Sequence, residues 1–236
     1  MTADSPAGPV RSGSAPSAIF ERLLAEARDV GFLGPGPVAT HLDHSSALAE
    51  VVEAARVGGS TGVDPSATAP RAVADLGAGG GVPGLLLALR WGAATVLLVE
   101  SRVRPAAFLG RAVVELGLEG RVAVAAERAE LLGRTGSRRG AFDLVTARGF
   151  GPPGVTAECA APLLEVGGLL VVSEPPLEGS DVARRWSVQG LAQLGMGSVA
   201  AVGSAAGYRF AVVRQERACP DRFPRRVGVP AKRPLF

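Results

Sequence analysis

Apolar positions recur along the chain with two different periods. Phe20, Leu23, Leu24, Ala27 and Val30 fall on one helical face and predict a helix from Ser17 to Gly31. A second helix is expected over about residues 38–57, and "GGSTGVDPSATAP" reads as a loop. Short β-rich runs follow at "AVADL", "TVLLVE", "VAVAA", "FDLVTA" and "GLLVVS", separated by helical patterns near 82–90, 102–117 and 153–165. A helix near 181–194 precedes two closing strands, about 198–203 and 208–214. Strands that alternate with helices predict an α/β fold: a doubly wound, mostly parallel sheet covered on both faces. The closing pair has no long helix between its members, which implies a hairpin and a terminal antiparallel strand. No internal repeat is visible.

Composition narrows the class. Of 236 residues, 47% are hydrophobic and 20% charged, values of a globular chain rather than a disordered one. Mean hydropathy is +0.26, so a membrane reading has to be weighed. The most apolar stretch, "VPGLLLALRWGAATVLLVE", is broken by Pro83, Gly84, Arg90 and Gly92. It falls short of the roughly 18 uninterrupted apolar residues that a spanning helix needs. The start, "MTADSPAGPVRSGSAPS", has no apolar centre, so no secretory signal is read there and a cytoplasmic location is expected. Cys159 and Cys219 have neither metal spacing nor a disulfide framework, and Cys159 in "AECAAPLL" reads as a buried thiol. With only His41 and His44 to assist, no metal site is expected.

Charge is uneven. Between Ala206 and Phe236 there are eight basic residues, Arg209, Arg214, Arg217, Arg222, Arg225, Arg226, Lys232 and Arg233, against Glu216 and Asp221. The chain's net charge is +3, so this segment carries +6 and the rest −3. Such asymmetry suits an anionic partner, although a merely solubilising tail has the same composition.

The chemistry concentrates in "VADLGAGGGVPG", where glycines stand at 77, 79, 80, 81 and 84 directly after the first β-run. A kinase-type phosphate loop needs a lysine there, and Lys232 is the chain's only lysine. That also removes pyridoxal phosphate, which is held on a lysine. Gly79, Gly81 and Gly84 match the dinucleotide pattern G-x-G-x-x-G, with Glu100 close to the ribose-binding spacing. Two details weaken that reading. The glycines begin earlier, at Gly77, and Asp75 places an acid where a diphosphate would be repelled. S-adenosylmethionine fits better. Gly77, Gly79 and Gly81 let backbone pass beside it, Glu100 can accept from the ribose hydroxyls, and Asp75 can anchor the cationic amine directly or through the loop. The dinucleotide reading remains the rival.

Several stretches together carry a more specific likeness: "HLDHS", "DLGAGGGVPGLLLAL", "LLVESRVRPAAFLGRAVVELGL", "ERAELL", "FDLVTARG", "PLLEVGGLLVV" and "FPRRVGVPAKRPL". In this order, from Phe20 to Phe236, the chain resembles the small-subunit ribosomal RNA methyltransferase G family, also called glucose-inhibited division protein B. The resemblance implies a class I, Rossmann-like, S-adenosylmethionine-dependent methyltransferase fold with N-terminal helices. It implies methyl transfer to N7 of a guanine, position 527, in 16S rRNA. Carried over residue by residue, the family's cofactor contacts fall on Gly77, Val82, Ala129, Glu130 and Arg148. Two places depart from it. "SEPP", with Glu174, stands where the family often has a lysine-glycine pair, and the region before His41 is short.

Guanine N7 carries a lone pair and no proton, so in-line displacement at the sulfonium carbon needs positioning but no general base. Accordingly no catalytic acid or base is assigned, and the chain offers no His–Asp or Cys–His constellation. His41 and Asp43 match the family's N-terminal motif and read as a hydrogen-bonded pair that fixes a helix, with shaping of the RNA rim as the alternative. The expected organisation is a disordered segment over 1–16, a helical extension over 17–60, the methyltransferase domain over 70–215 and a basic tail over 216–236. The expected partner is 16S rRNA or the small ribosomal subunit, bound by a monomer, with the tail arginines on phosphate and Phe223 against the core. Rival readings are a diverged enzyme acting on another RNA or a small molecule, and a non-catalytic RNA-binding protein of the same fold.

Overall fold

A computed structural model describes residues 15–57, 68–175, 182–203 and 206–236. Most of the segment expected to be disordered, and residues 58–67 of the predicted loop, lie outside the described residues. Two helices lead, α1 (Ala15–Asp29) and α2 (Val38–Val57). There follow β1 (Ala72–Leu76), α3 (Gly84–Arg90), β2 (Thr95–Val99), α4 (Val103–Glu115), β3 (Val122–Ala125), α5 (Ala129–Leu132) and β4 (Phe142–Ala147). The chain continues through α6 (Pro153–Ala160), β5 (Leu164–Glu174), α7 (Val182–Arg185), α8 (Val188–Gln193), β6 (Ala200–Gly203), β7 (Arg209–Arg214) and α9 (Val229–Lys232).

The seven strands form one sheet in the order β3-β2-β1-β4-β5-β7-β6. β1 to β5 are parallel, and β7 runs antiparallel between β5 and β6. The reversed strand is therefore second from the edge, and its hairpin partner β6 forms the edge. Parallel strands buried on both faces need continuous apolar runs, which "AVADL" and "FDLVTA" provide apart from Asp75, Asp143 and Thr146. Alternate residues of each strand feed two cores. Val73, Val96, Leu98 and Leu144 join α1 to α4 on one face, whereas Ala74, Leu97, Val99 and Val145 join α5, α6, α8 and the C-terminal segment on the other.

Some helices differ from their sequence pattern for local reasons. The helix expected over 153–165 ends at Ala160, because Pro162 has no N–H to continue it. The helix expected near 181–194 is divided at Trp186, a fully buried residue whose Nε1 donates to Glu174 at 2.8 Å. Ser187 then caps α8 by accepting from Gly190 N at 3.2 Å. α5 and α9, four residues each, are too short to show a period. Strand order reverses between β1 and β4, and in open α/β sheets the crevice at the carboxyl ends beside such a reversal is where ligands bind.

Candidate functional site

The glycine loop leaves β1 at this crevice. Gly77 N and Ala78 N both donate to Val99 O, at 2.8 and 3.0 Å, tying the loop to the end of β2. Gly77 has φ +72°, and a Cβ there would stand 3.1 Å from the Phe150 ring. Backbone shape and space therefore both require glycine. Beside the loop lies a cavity of about 350 Å³, bounded by Gly77, Glu100, Ala129 and Glu130 on the strand ends. Phe150, Val155 and Cys159 supply its apolar wall, and Ala231 of α9 closes it from the C-terminal segment. The volume suits a nucleoside-sized ligand, and an apolar slot with a few placed polar groups is the usual make-up of such sites.

Glu100 carries the polar end. Its Oε2 accepts from Gly79 N at 3.1 Å and Arg102 Nη2 at 3.1 Å, and its Oε1 from Arg102 N at 2.9 Å and Arg102 Nε at 3.1 Å. Burial acts to raise its pKa, but these bonds outweigh it and hold the carboxyl below its ordinary value. Four donors use up a carboxylate's lone pairs, so a ribose diol reaches Glu100 only by displacing the Arg102 guanidinium. Glu130 is buried likewise and holds Arg128 Nη2 at 2.8 Å and Gly228 N at 3.0 Å. Burial again raises its pKa, and Arg128 and Gly228 bring the net shift below the ordinary value. Its carboxylate thus fastens the C-terminal segment over the cavity.

Four of the sequence-derived site residues do not line the cavity: Gly79, which reaches it only through its N–H bond to Glu100, and Asp75, Val82 and Arg148. Asp75 lies under the loop, accepting from Thr146 Oγ1 at 2.9 Å and Gly84 N at 3.0 Å. Burial pushes its carboxyl up to about 7 against those two bonds. Its influence on a ligand therefore runs through the loop. Val82 is buried at the turn before α3. Arg148 ends β4 on the α2 side; its Nη2 meets His41 Nδ1 at 2.7 Å, and its buried Nη1 finds no partner among the described residues. Its neighbours Gly149 and Phe150 do line the cavity.

Several contributors were not legible in the sequence. Arg102, Phe150, Cys159 and Ala231 have no spacing that singles them out. Asp43 is exposed, and His41 pairs with Arg148 instead. Glu174, in the place of a family lysine-glycine pair, is buried, with Trp186 and Arg185 as its partners. It ties the junction of α7 and α8 to the end of β5 rather than facing outward. Among the described residues no helix is long and apolar enough to cross a membrane.

Known proteins share sequence and fold with this chain. A family model described as rRNA small subunit methyltransferase G (GidB) matches residues 48–194. Ribosomal RNA small subunit methyltransferase G of Prochlorococcus marinus is 38% identical over 176 residues, 72% of this chain and 70% of the relative. The protein of that name from Rubrobacter xylanophilus is 36% identical over 171 residues, 69% of this chain and 64% of the relative. Among solved structures, a Bacillus cereus O-methyltransferase in complex with S-adenosylhomocysteine superposes with a TM-score of 0.56 at 15% identity, over 84% of this chain and 91% of that one. That likeness concerns the fold.

Proposed function

The chain belongs to the rRNA small subunit methyltransferase G family, and from that premise we propose that it methylates N7 of a guanine in 16S rRNA, using S-adenosylmethionine. The observation that carries the cofactor is the cavity at the strand ends, with Glu100 beside Gly77 and an apolar wall opposite. These residues fit that group: Val155, Cys159 and Phe150 suit an adenine, Glu100 a ribose diol, and the Gly77 backbone a close approach. Ala129 and Glu130 bound the adenine end, Gly79 steadies Glu100 through its N–H, and Asp75 and Val82 shape the loop from beneath. When bound, the cofactor supplies a sulfonium methyl as the electrophile.

The protein's own share of the reaction is orientation. A guanine N7 lone pair needs no base to unmask it, so alignment and exclusion of water do the work. Arg148 contributes a cation at the end of β4, and Asp75 holds the loop in register through Gly84 N and Thr146 Oγ1. In this proposal residues 70–215 carry the cofactor, the helical extension 17–60 supports Arg148, and the segment 216–236 covers the adenine end. One chain supplies every group named, consistent with a monomer working beside ribosomal subunits in the cytoplasm.

The test is chemical. 7-Methylguanosine makes RNA cleavable by borohydride and aniline, so small subunits from cells lacking the modification are treated with the protein and cofactor, then cleaved and sequenced. A single new stop at a guanine of 16S rRNA supports the reading. Methyl groups found only on another base, or no stop despite cofactor binding, overturn it.

A further inference from the structure

Arg148 has a holder from outside the parallel sheet. His41, in the first turns of α2, is buried with both ring nitrogens engaged: Nε2 lies 3.1 Å from Gly34 O and Nδ1 lies 2.7 Å from Arg148 Nη2. A carbonyl oxygen only accepts and a guanidinium only donates. The tautomer follows: the proton is on Nε2 and the lone pair on Nδ1. The imidazole is therefore neutral and spends its single acceptor on Arg148.

The neutrality matters for what Arg148 has left. A carboxylate holder would cancel the guanidinium's charge, whereas imidazole orients it and leaves the charge intact. Tyr208 and then Asp75 act electrostatically on Arg148, and the one carboxylate of the two, Asp75, gives its oxygens to Thr146 Oγ1 and Gly84 N. Arg148 Nη1 is buried and without a partner among the described residues. A buried donor left open is costly unless something arrives to use it. Two residues along, Phe150 forms the cavity wall against Gly77.

We propose that His41 is a positioning residue for methyl transfer, its Nδ1 lone pair holding Arg148 so that the open Nη1 arm takes an oxyanion of the reactants. This rests on the methyltransferase reading above. The oxyanion comes from one of two sources, the carboxylate of the cofactor's methionine part or an RNA phosphate. The rival is a plain strut, in which His41 matters only for pinning α2 to the Gly34 turn.

Asparagine and glutamine separate these roles. An Asn amide oxygen falls near the Nδ1 position and keeps an acceptor for Arg148; a Gln amide reaches the Nε2 position and keeps the Gly34 contact. In the full chain, His41→Gln is expected to lose about ten- to hundredfold in kcat/KM for small subunits, the scale of one lost charged hydrogen bond. His41→Asn is expected to lose far less, and His41→Gln to add nothing on an Arg148→Ala background. Calorimetry assigns the source. Weaker S-adenosylmethionine binding by His41→Gln points to the cofactor carboxylate, and unchanged binding with a raised KM for subunits points to RNA phosphate. Glutamine near wild type with asparagine impaired overturns the proposal in favour of the strut, as do losses that follow melting temperature alone. Absence of transfer by the wild-type chain overturns the functional reading and this one together. Wild-type transfer with an unaffected His41→Gln overturns this one alone.

Discussion

At the scale of single residues, the site is decided by which polar groups are already engaged. Glu100 was legible from its spacing after the glycine loop, but Arg102, two positions on, was not, because an arginine at a helix start looks like surface charge. In the fold that arginine occupies the carboxylate. Arg102→Ala should therefore tighten S-adenosylmethionine binding by about two- to tenfold, one hydrogen bond's worth of competition removed. Glu100→Ala should weaken it at least as much; calorimetry on the two variants checks both signs. A second consequence concerns pH. Burial, then the Arg148 charge, push His44 from 6.5 down to about 4, so the folded chain refuses a proton that the unfolded chain takes up below 6.5. The stability tied to a neutral His44 is complete above about 6.5 and is lost as pH falls toward 4. Asp75, raised from 3.8 to about 7, works the other way as pH rises through that interval, so the comparison must be between variants. His44→Phe keeps the ring contacts with Tyr208 and Phe210 at 4.9 and 5.3 Å. It should flatten the fall in melting temperature between pH 6.5 and pH 4; an unchanged slope would show that His44 does not titrate with folding.

Among the elements, the C-terminal segment differs most from its sequence pattern. Its charge suggested a tail facing RNA, yet much of it is folded onto the second core. Phe223 is buried beneath Arg222, and Arg139 donates to Gly133, Cys219 and Phe223 carbonyls. Arg225 gives its backbone N and guanidinium to Glu158, which is fully buried on α6. Charge counts cannot distinguish an arginine spent on a buried acid from one left for phosphate. Arg226, Lys232 and Arg233 remain exposed. Arg225→Ala strands the Glu158 carboxylate, and a broken buried pair costs about 3–5 kcal/mol. A drop of that order in urea-unfolding stability is expected, with weaker cofactor binding as α9 loosens from the cavity. Undiminished stability would show that the segment is held elsewhere.

For the whole molecule, the alternation of apolar runs was enough to define the architecture. All seven strands stand where the period changes from helical to extended, since parallel strands buried on both faces leave little freedom in their composition. What the pattern left open was contact across the fold: α2 meeting β4 through His41 and Arg148, and α9 meeting α5 through Gly228 and Glu130. These pairs lie 107 and 98 residues apart and have no local signature. They join the N-terminal helices and the C-terminal segment to one crevice, as a substrate much larger than the cofactor would require. The measurement that tests this account most directly is transfer of labelled methyl from S-adenosylmethionine to small ribosomal subunits lacking the modification, with Gly77→Asp as the control that fills the loop. The account predicts label in 16S rRNA with the intact chain and none with Gly77→Asp. Equal label with both chains, or none with the intact chain while it binds the cofactor, would contradict it.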